Sequence, residues 1–231
     1  MIEILLKITD LVVKRSDCIV LNNVNVEITS GEAVIVTGPN GVGKTTLLRA
    51  IAGYIPIVSG SILMKGIDPQ VEISERLHYI GHHNALMHAL SVRENLKFWA
   101  EFLDEEYHKC GNKNSRTIST DSVETALEFF RLDKLAEQPV AYLSAGQKRR
   151  AALARLMVAY RPLWLLDEPT VALDNESVKT LTSLANTHLR NGGLILAATH
   201  FPLLFEMSNE IELLWPDKDT DDAFTSGEEI K

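Results

Sequence analysis

Ala33-Val34-Ile35-Val36-Thr37-Gly38-Pro39-Asn40-Gly41-Val42-Gly43-Lys44-Thr45-Thr46-Leu47-Leu48 is the stretch that decides the fold class. Ala33–Val36 is a short apolar, β-branched run, the pattern of a buried strand. Leu47-Leu48-Arg49-Ala50-Ile51-Ala52 reads as a helix that stops near Gly53 and Pro56. Between them, Gly38-Pro39-Asn40-Gly41-Val42-Gly43-Lys44-Thr45 fits G-x-x-x-x-G-K-[ST]. Such a loop turns successive backbone N–H groups inward at phosphate oxygens and ends on a helix N-terminus, which adds partial positive charge. Lys44 is placed to reach the β- and γ-phosphates and Thr45 to ligate Mg²⁺, with Thr46 beside them. Alone, the loop says only that a nucleoside triphosphate binds. The strand before it and the helix after it leave little room for a chance match.

Further along, Leu163-Trp164-Leu165-Leu166 and Leu194-Ile195-Leu196-Ala197-Ala198 are apolar runs bounded by polar turns, as in strands buried on both faces of a parallel sheet. The first ends in Asp167-Glu168-Pro169. A carboxylate at the end of a buried strand beside a phosphate loop can hold Mg²⁺. Its neighbour can then act as general base towards a water. Asp167 is the metal candidate and Glu168 the base; by itself the pair is equally a strand-end turn. The N-terminal third reads as strands, Ile19–Leu21 and Val24–Ile28 separated by an Asn-Asn turn, with Ser61–Met64 as another. The middle reads as helix. Ser91-Val92-Arg93-Glu94 is a capping box, and Val92, Leu96, Trp99 and Leu103 follow at helical spacing. Residues 104–121 are polar and read as a surface loop, followed by a helix from about Val123 to Phe130. The basic amphipathic stretch Lys148–Tyr160 is a further helix.

Composition bounds the rest. The chain has 231 residues, 45 % apolar and 23 % charged, which suits one α/β domain. The net charge of -8 argues against nucleic acid as partner. Cys18 and Cys110 form no Cys-x-x-Cys pair and read as free thiols in a reducing compartment. No apolar run approaches the roughly 18 residues of a transmembrane helix, and Met1–Lys7 is too short and acidic for a signal peptide. The segment 217–231, with six acids and two lysines, reads as a flexible acidic tail behind a domain spanning 1–216.

Leu143-Ser144-Ala145-Gly146-Gln147 heads the Lys148–Tyr160 helix. Ser144 and Gln147 have capping-box spacing, and a capped helix start with small residues is also an anion site. The string resembles the signature of the ABC family, L-S-G-G-Q, with Ala145 for one glycine. The resemblance runs from about residue 3 to about 215. It implies an ABC-type P-loop NTPase core, with a mostly parallel sheet, an N-terminal antiparallel part and a helical subdomain near 84–158. It implies ATP and Mg²⁺ as ligands and ATP hydrolysis as the activity. Position by position, Ser144, Gly146 and Gln147 would grip the nucleotide held by the other subunit of a homodimer. Ala172-Leu173-Asp174 would lie across that interface, and His200 would contact the γ-phosphate. Two positions depart from the family. Its usual glutamine, following an aromatic-aliphatic pair, is replaced after Tyr79-Ile80-Gly81 by His82, with His83 next; His82 is the candidate for the same catalytic and metal-site role. The adenine-stacking aromatic is replaced by Arg15, whose planar guanidinium can also stack on a ring. Surface histidines and a surface arginine are the plainer readings of both.

Gly81-His82, Glu94-Asn95-Leu96-Lys97-Phe98-Trp99 and Leu143–Arg150 further resemble the ATP-binding subunits of bacterial cytochrome c maturation complexes. That implies a peripheral protein on the cytoplasmic face of the inner membrane, bound to integral membrane subunits and coupling ATP turnover to haem handling. The competing readings are the ATPase of another small exporter for lipids, drugs or polysaccharide, a soluble non-transport ABC ATPase, and a non-hydrolysing nucleotide binder. The presence of both Glu168 and His200 disfavours the last.

Overall fold

The computed structural model describes residues 3–16, 18–66, 68, 70–109, 120–201 and 203–215. The acidic segment 217–231 and Cys110 lie outside the described residues. Strands β1 (Leu5–Arg15), β2 (Cys18–Thr29), β3 (Ala33–Thr37) and β4 (Ser59–Lys65) fill the N-terminal third, with helix α1 (Lys44–Ile51) between the last two. Strand β5 (Leu77–Ile80) follows, then α2 (Val92–Lys109), α3 (Thr120–Phe129) and α4 (Ala145–Val158). The chain continues through β6 (Leu163–Asp167), α5 (Asn175–Arg190), β7 (Leu194–Ala198) and β8 (Ser208–Glu212). Five strands form a parallel sheet in the order β5-β6-β7-β3-β8, and three form an antiparallel sheet in the order β2-β1-β4.

The parallel strands are apolar on both faces because both are covered. On β6, Leu163 and Leu165 face the cluster shared with α1 and the antiparallel sheet, while Trp164 and Leu166 face the cluster shared with α2–α5. β7 alternates in the same way, Leu194 and Leu196 against Ile195 and Ala197. This is the period-two geometry of a strand. It lets two short runs serve two cores at once, and every residue of β6 and β7 is buried.

Two expectations from the sequence change. The Asn22-Asn23 turn is absent: β2 is continuous, and Asn23 adopts φ 54° where its pairing with β1 shifts register between Leu11 and Val13. Asparagine tolerates the left-handed region, so the pair makes a bulge rather than a reversal. The polar residues 104–109 are helical, since α2 runs to Lys109; Glu and Lys are good helix formers whether or not one face is apolar. The capping box at Ser91 forms as expected. Ser91 Oγ accepts from the Glu94 N–H at 3.2 Å, and Glu94 Oε2 accepts from the Ser91 N–H at 2.8 Å.

Candidate functional site

β3 delivers the chain to the loop 38–43 at the carboxyl edge of the parallel sheet, where ligands of open α/β sheets gather. Two glycines there have no substitute. Gly38 has φ 131°, and a Cβ on it would lie 2.5 Å from the Leu213 carbonyl oxygen. Gly43 has φ 116° and heads α1 as its N-cap; a Cβ would meet Leu21 Cδ2 at 2.7 Å. Lys44 is buried and folds back over the loop. Its Nζ donates to the carbonyls of Gly38 at 2.6 Å and Pro39 at 3.0 Å. Thr46 is buried in the same turn.

The carboxylate turn after β6 meets this loop directly. Thr45 Oγ1 donates to Asp167 Oδ1 at 3.0 Å, across 122 residues of chain. Asp167 Oδ2 accepts from the Tyr79 hydroxyl at 3.3 Å, and that hydroxyl accepts from Arg49 Nε at 3.4 Å. Burial raises the Tyr79 pKa and the Asp167 carboxylate adds to it, while the Arg49 bond works against them. Tyr79 therefore stays a proton donor towards Asp167. Its place in the aromatic-aliphatic pair Tyr79-Ile80 marks it in the sequence, but not its partner. Glu168 sits next in the turn with φ 46° and donates its N–H to the Ala198 carbonyl at 2.8 Å, which ties it to the end of β7. His200, two residues beyond β7, closes the group: its Nε2 lies 2.7 Å from Asn40 Oδ1 and 3.7 Å from Glu168 Oε1. So Asn40, Lys44, Thr45, Asp167, Glu168 and His200 form one continuous cluster.

The other sequence candidates lie apart from it. Ser144, Gly146 and Gln147 head α4 in a complete capping box: Ser144 Oγ accepts from the Gln147 N–H at 3.3 Å, and Gln147 Oε1 accepts from the Ser144 N–H at 2.8 Å. A Cβ on Gly146 would lie 2.8 Å from the Ala172 carbonyl oxygen, so only glycine lets that turn approach the Ala172–Asp174 segment so closely. Among the described residues no hydrogen bond joins Ser144–Gln147 to the 38–45 loop. His82 is exposed, its ring edge-on to that of His83 at 5.8 Å. Arg15 is exposed at the tip of the β1–β2 hairpin, opposite Cys18; from there β2 runs past Gly43 through Val20 and Leu21. Cys18 is an exposed free thiol. The residue the sequence reading passed over is Arg149, which hydrogen-bonds the carbonyls of Asp167, Glu168 and Pro169 from α4.

Residues 21–171 match the family described as ABC transporter. The chain belongs to that family. It is 47 % identical over 184 residues to the cytochrome c biogenesis ATP-binding export protein CcmA of Nitrobacter winogradskyi, covering 80 % of this chain and 86 % of that one. It is 40 % identical over 203 residues to the CcmA of Agrobacterium fabrum, covering 87 % and 91 %. Among solved structures it is similar to an ATP-binding subunit of an ABC transporter, with TM-score 0.74 and 26 % identity over 85 % of this chain and 80 % of that one. A putative ABC transporter ATP-binding protein from Pyrococcus furiosus gives TM-score 0.71 at 26 % identity, covering 89 % and 96 %. The chain is thus a CcmA-like ABC ATPase, which binds and hydrolyses ATP, on the α/β P-loop fold that the loop 38–45 predicts. Among the described residues no helix is long and apolar enough to cross a membrane.

Proposed function

We propose that this ATPase works as a homodimer attached to integral membrane subunits of a complex for cytochrome c biogenesis, at the cytoplasmic face of a bacterial inner membrane. The CcmA relatives support the biological setting, and the cluster around Asp167 supports the chemistry. The observation that carries the chemistry is the Thr45–Asp167 hydrogen bond, which unites the phosphate loop with the carboxylate turn. A hydroxyl and a carboxylate are hard oxygen donors. Mg²⁺ keeps waters and takes one or two carboxylates plus phosphates, so no larger ligand cage is needed. Thr45 and Asp167 would hold it, and when bound it neutralises charge on the phosphates.

In this reading Lys44 leaves the Gly38 and Pro39 carbonyls for the β- and γ-phosphate oxygens, and the 38–43 amides cradle them. Glu168 accepts a proton from water as the water oxygen bonds to the γ-phosphorus, and ADP leaves with the bridging oxygen. His200, held by Asn40 and facing Glu168, donates towards the γ-phosphate. Ser144, Gly146 and Gln147 meet the nucleotide of the partner copy. Arg15 stacks on adenine, and His82 stands where the family carries a glutamine. The test is Glu168→Gln in the assembled complex. Turnover falling roughly 10²–10⁴-fold with ATP binding retained is the expected result for loss of a general base. Unchanged turnover refutes the assignment. Affinity purification from detergent-solubilised membranes tests the setting: the expected result is co-purifying integral proteins of cytochrome c biogenesis, and the wholly monomeric chain alone is the contrary one.

A further inference from the structure

Arg149 takes no part in the chemistry above, yet it is tied to the turn that carries Asp167 and Glu168. It lies on α4 two residues past Gln147 and is 4 % exposed. Its guanidinium makes five hydrogen bonds. Nε donates to the Pro169 carbonyl at 3.1 Å, and Nη2 donates to the carbonyls of Glu168 at 2.7 Å and Asp167 at 3.2 Å. Nη1 donates to the Gly81 carbonyl at 2.7 Å and to Asn84 Oδ1 at 3.2 Å. Every one of these acceptors is uncharged. Among the described residues Arg149 makes no ion pair. Burial lowers its pKa, against the pull of the Asp167 and Glu168 carboxylates.

A buried charge is expensive to desolvate, and here five hydrogen bonds to uncharged acceptors offset that cost. What the guanidinium supplies is geometry. Three of its acceptors are successive carbonyls of the turn that presents Glu168, whose φ of 46° is uncommon outside glycine. Strained backbone of that kind persists where its surroundings over-determine it. Here the Ala198 carbonyl holds the Glu168 N–H and Arg149 holds the Glu168 carbonyl. The remaining two acceptors flank His82 and His83. That loop is gripped twice more, by Arg155 of α4 on the Asn84 carbonyl at 3.1 Å and by Trp99 Nε1 on the Ala85 carbonyl at 3.1 Å.

We propose that Arg149 is a positioning residue that holds the turn presenting Glu168 and links it to the 81–84 loop and to the helix headed by Ser144–Gln147. The inference rests on Glu168 being the base. In the dimer, Ser144–Gln147 of a chain engages the partner's nucleotide, while Glu168 of the same chain serves its own. Arg149 is then the side chain through which occupancy of one site is felt at the carboxylate of the other.

A double-mutant cycle in the assembled complex tests this, with Arg149→Lys, Glu168→Gln and the double variant. Lysine keeps the charge and loses the fork. Arg149→Lys should lower kcat by about tenfold or more with KM for ATP within about twofold, the mark of an effect on the transition state rather than on binding. In the Glu168→Gln background the same change should have no further effect beyond about twofold, because the group it positions is gone. Equal fractional losses in both backgrounds, or a raised KM at full kcat, overturn the proposal while leaving Glu168 as base. Full turnover by Glu168→Gln overturns both. If melting shows that Arg149→Lys does not fold, Asn84→Ala decides. It removes one of the two hydrogen bonds on the Nη1 arm of the same guanidinium, and a kcat at least about threefold lower at unchanged KM supports the link, whereas unchanged kcat overturns it.

Discussion

At the scale of single residues, the cluster is held by contacts that nucleotide would exchange in the proposed reading. Lys44 Nζ rests on two loop carbonyls, an internal substitute for phosphate oxygens. Replacing it by Ala removes charge-assisted bonds worth roughly 1.5–3 kcal/mol, so ATP affinity should fall about 10–100-fold. Titration with a fluorescent ATP analogue measures it, and an unchanged Kd would show that Lys44 never leaves the Gly38 and Pro39 carbonyls. Gly43 makes the complementary prediction. Gly43→Ala asks a Cβ to sit 2.7 Å from Leu21 Cδ2 at φ 116°, so both strain and overpacking oppose it. A loss of about 1–3 kcal/mol in urea unfolding is expected, and a loss under about 0.5 kcal/mol would mean that β2 yields easily.

At the scale of elements, a strand and a helix each hold an imidazole whose burial resists charging. His78 of β5 donates from Nε2 to the Ala159 carbonyl at 2.7 Å, and burial lowers its pKa to about 3. His188 of α5 stacks on Trp164 at 3.9 Å between ring centroids, and burial lowers its pKa to about 4. Both folded values lie below the unfolded value of 6.5. Above pH 6.5 both states leave these rings neutral, and their contribution is full. Below it the unfolded chain takes up protons that the folded chain refuses. Stability should therefore drop by roughly 1.4 kcal/mol per pH unit for each ring, until the pH reaches its folded pKa. Urea midpoints at pH 7, 6 and 5 read this window, which lies above ordinary carboxylate titration. A flat profile from pH 6.5 to 5 would contradict it, and His188→Phe should remove about half of the slope.

How much of this was legible depended on the range of the interaction. The phosphate loop and the Ser91 and Ser144 boxes are local patterns, so their residues announce them. The unbroken apolar runs of β6 and β7 are also local and showed which strands were buried on both faces. β1 and β5 were not singled out as strands: β1 mixes Lys7, Thr9 and Asp10 among its apolar residues, and β5 has only 4 residues. Asn22-Asn23 misled because a bulge and a turn use the same residue types, and only the pairing with β1 distinguishes them. The partners of Arg149 lie 18 to 68 residues away along the chain, and nothing in Lys148-Arg149-Arg150 tells which arginine turns inward. Arg150 points elsewhere, onto the Phe130 and Arg131 carbonyls.

At the scale of the whole molecule, the separation of Ser144–Gln147 from the Lys44–Asp167–His200 cluster shapes the expected behaviour. In the proposed reading one chain carries two different half-sites, the phosphate loop and the capped helix start at Ser144. A head-to-tail pair would bring each surface of one copy to the other surface of its partner. Two such contacts related by a twofold axis close without leaving either surface free. Turnover per chain should therefore rise with protein concentration and then level off, because in the proposed dimer each chain supplies only half of each site. Glu168→Gln should accumulate the closed state, since it binds ATP and cannot clear it; by light scattering it should shift from monomer to dimer on adding ATP. The same variant carrying Lys44→Ala as well should remain monomeric, which ties the shift to nucleotide on the 38–45 loop. A per-chain rate independent of concentration in a protein that stays monomeric with ATP would leave Ser144–Gln147 as a helix cap and nothing more.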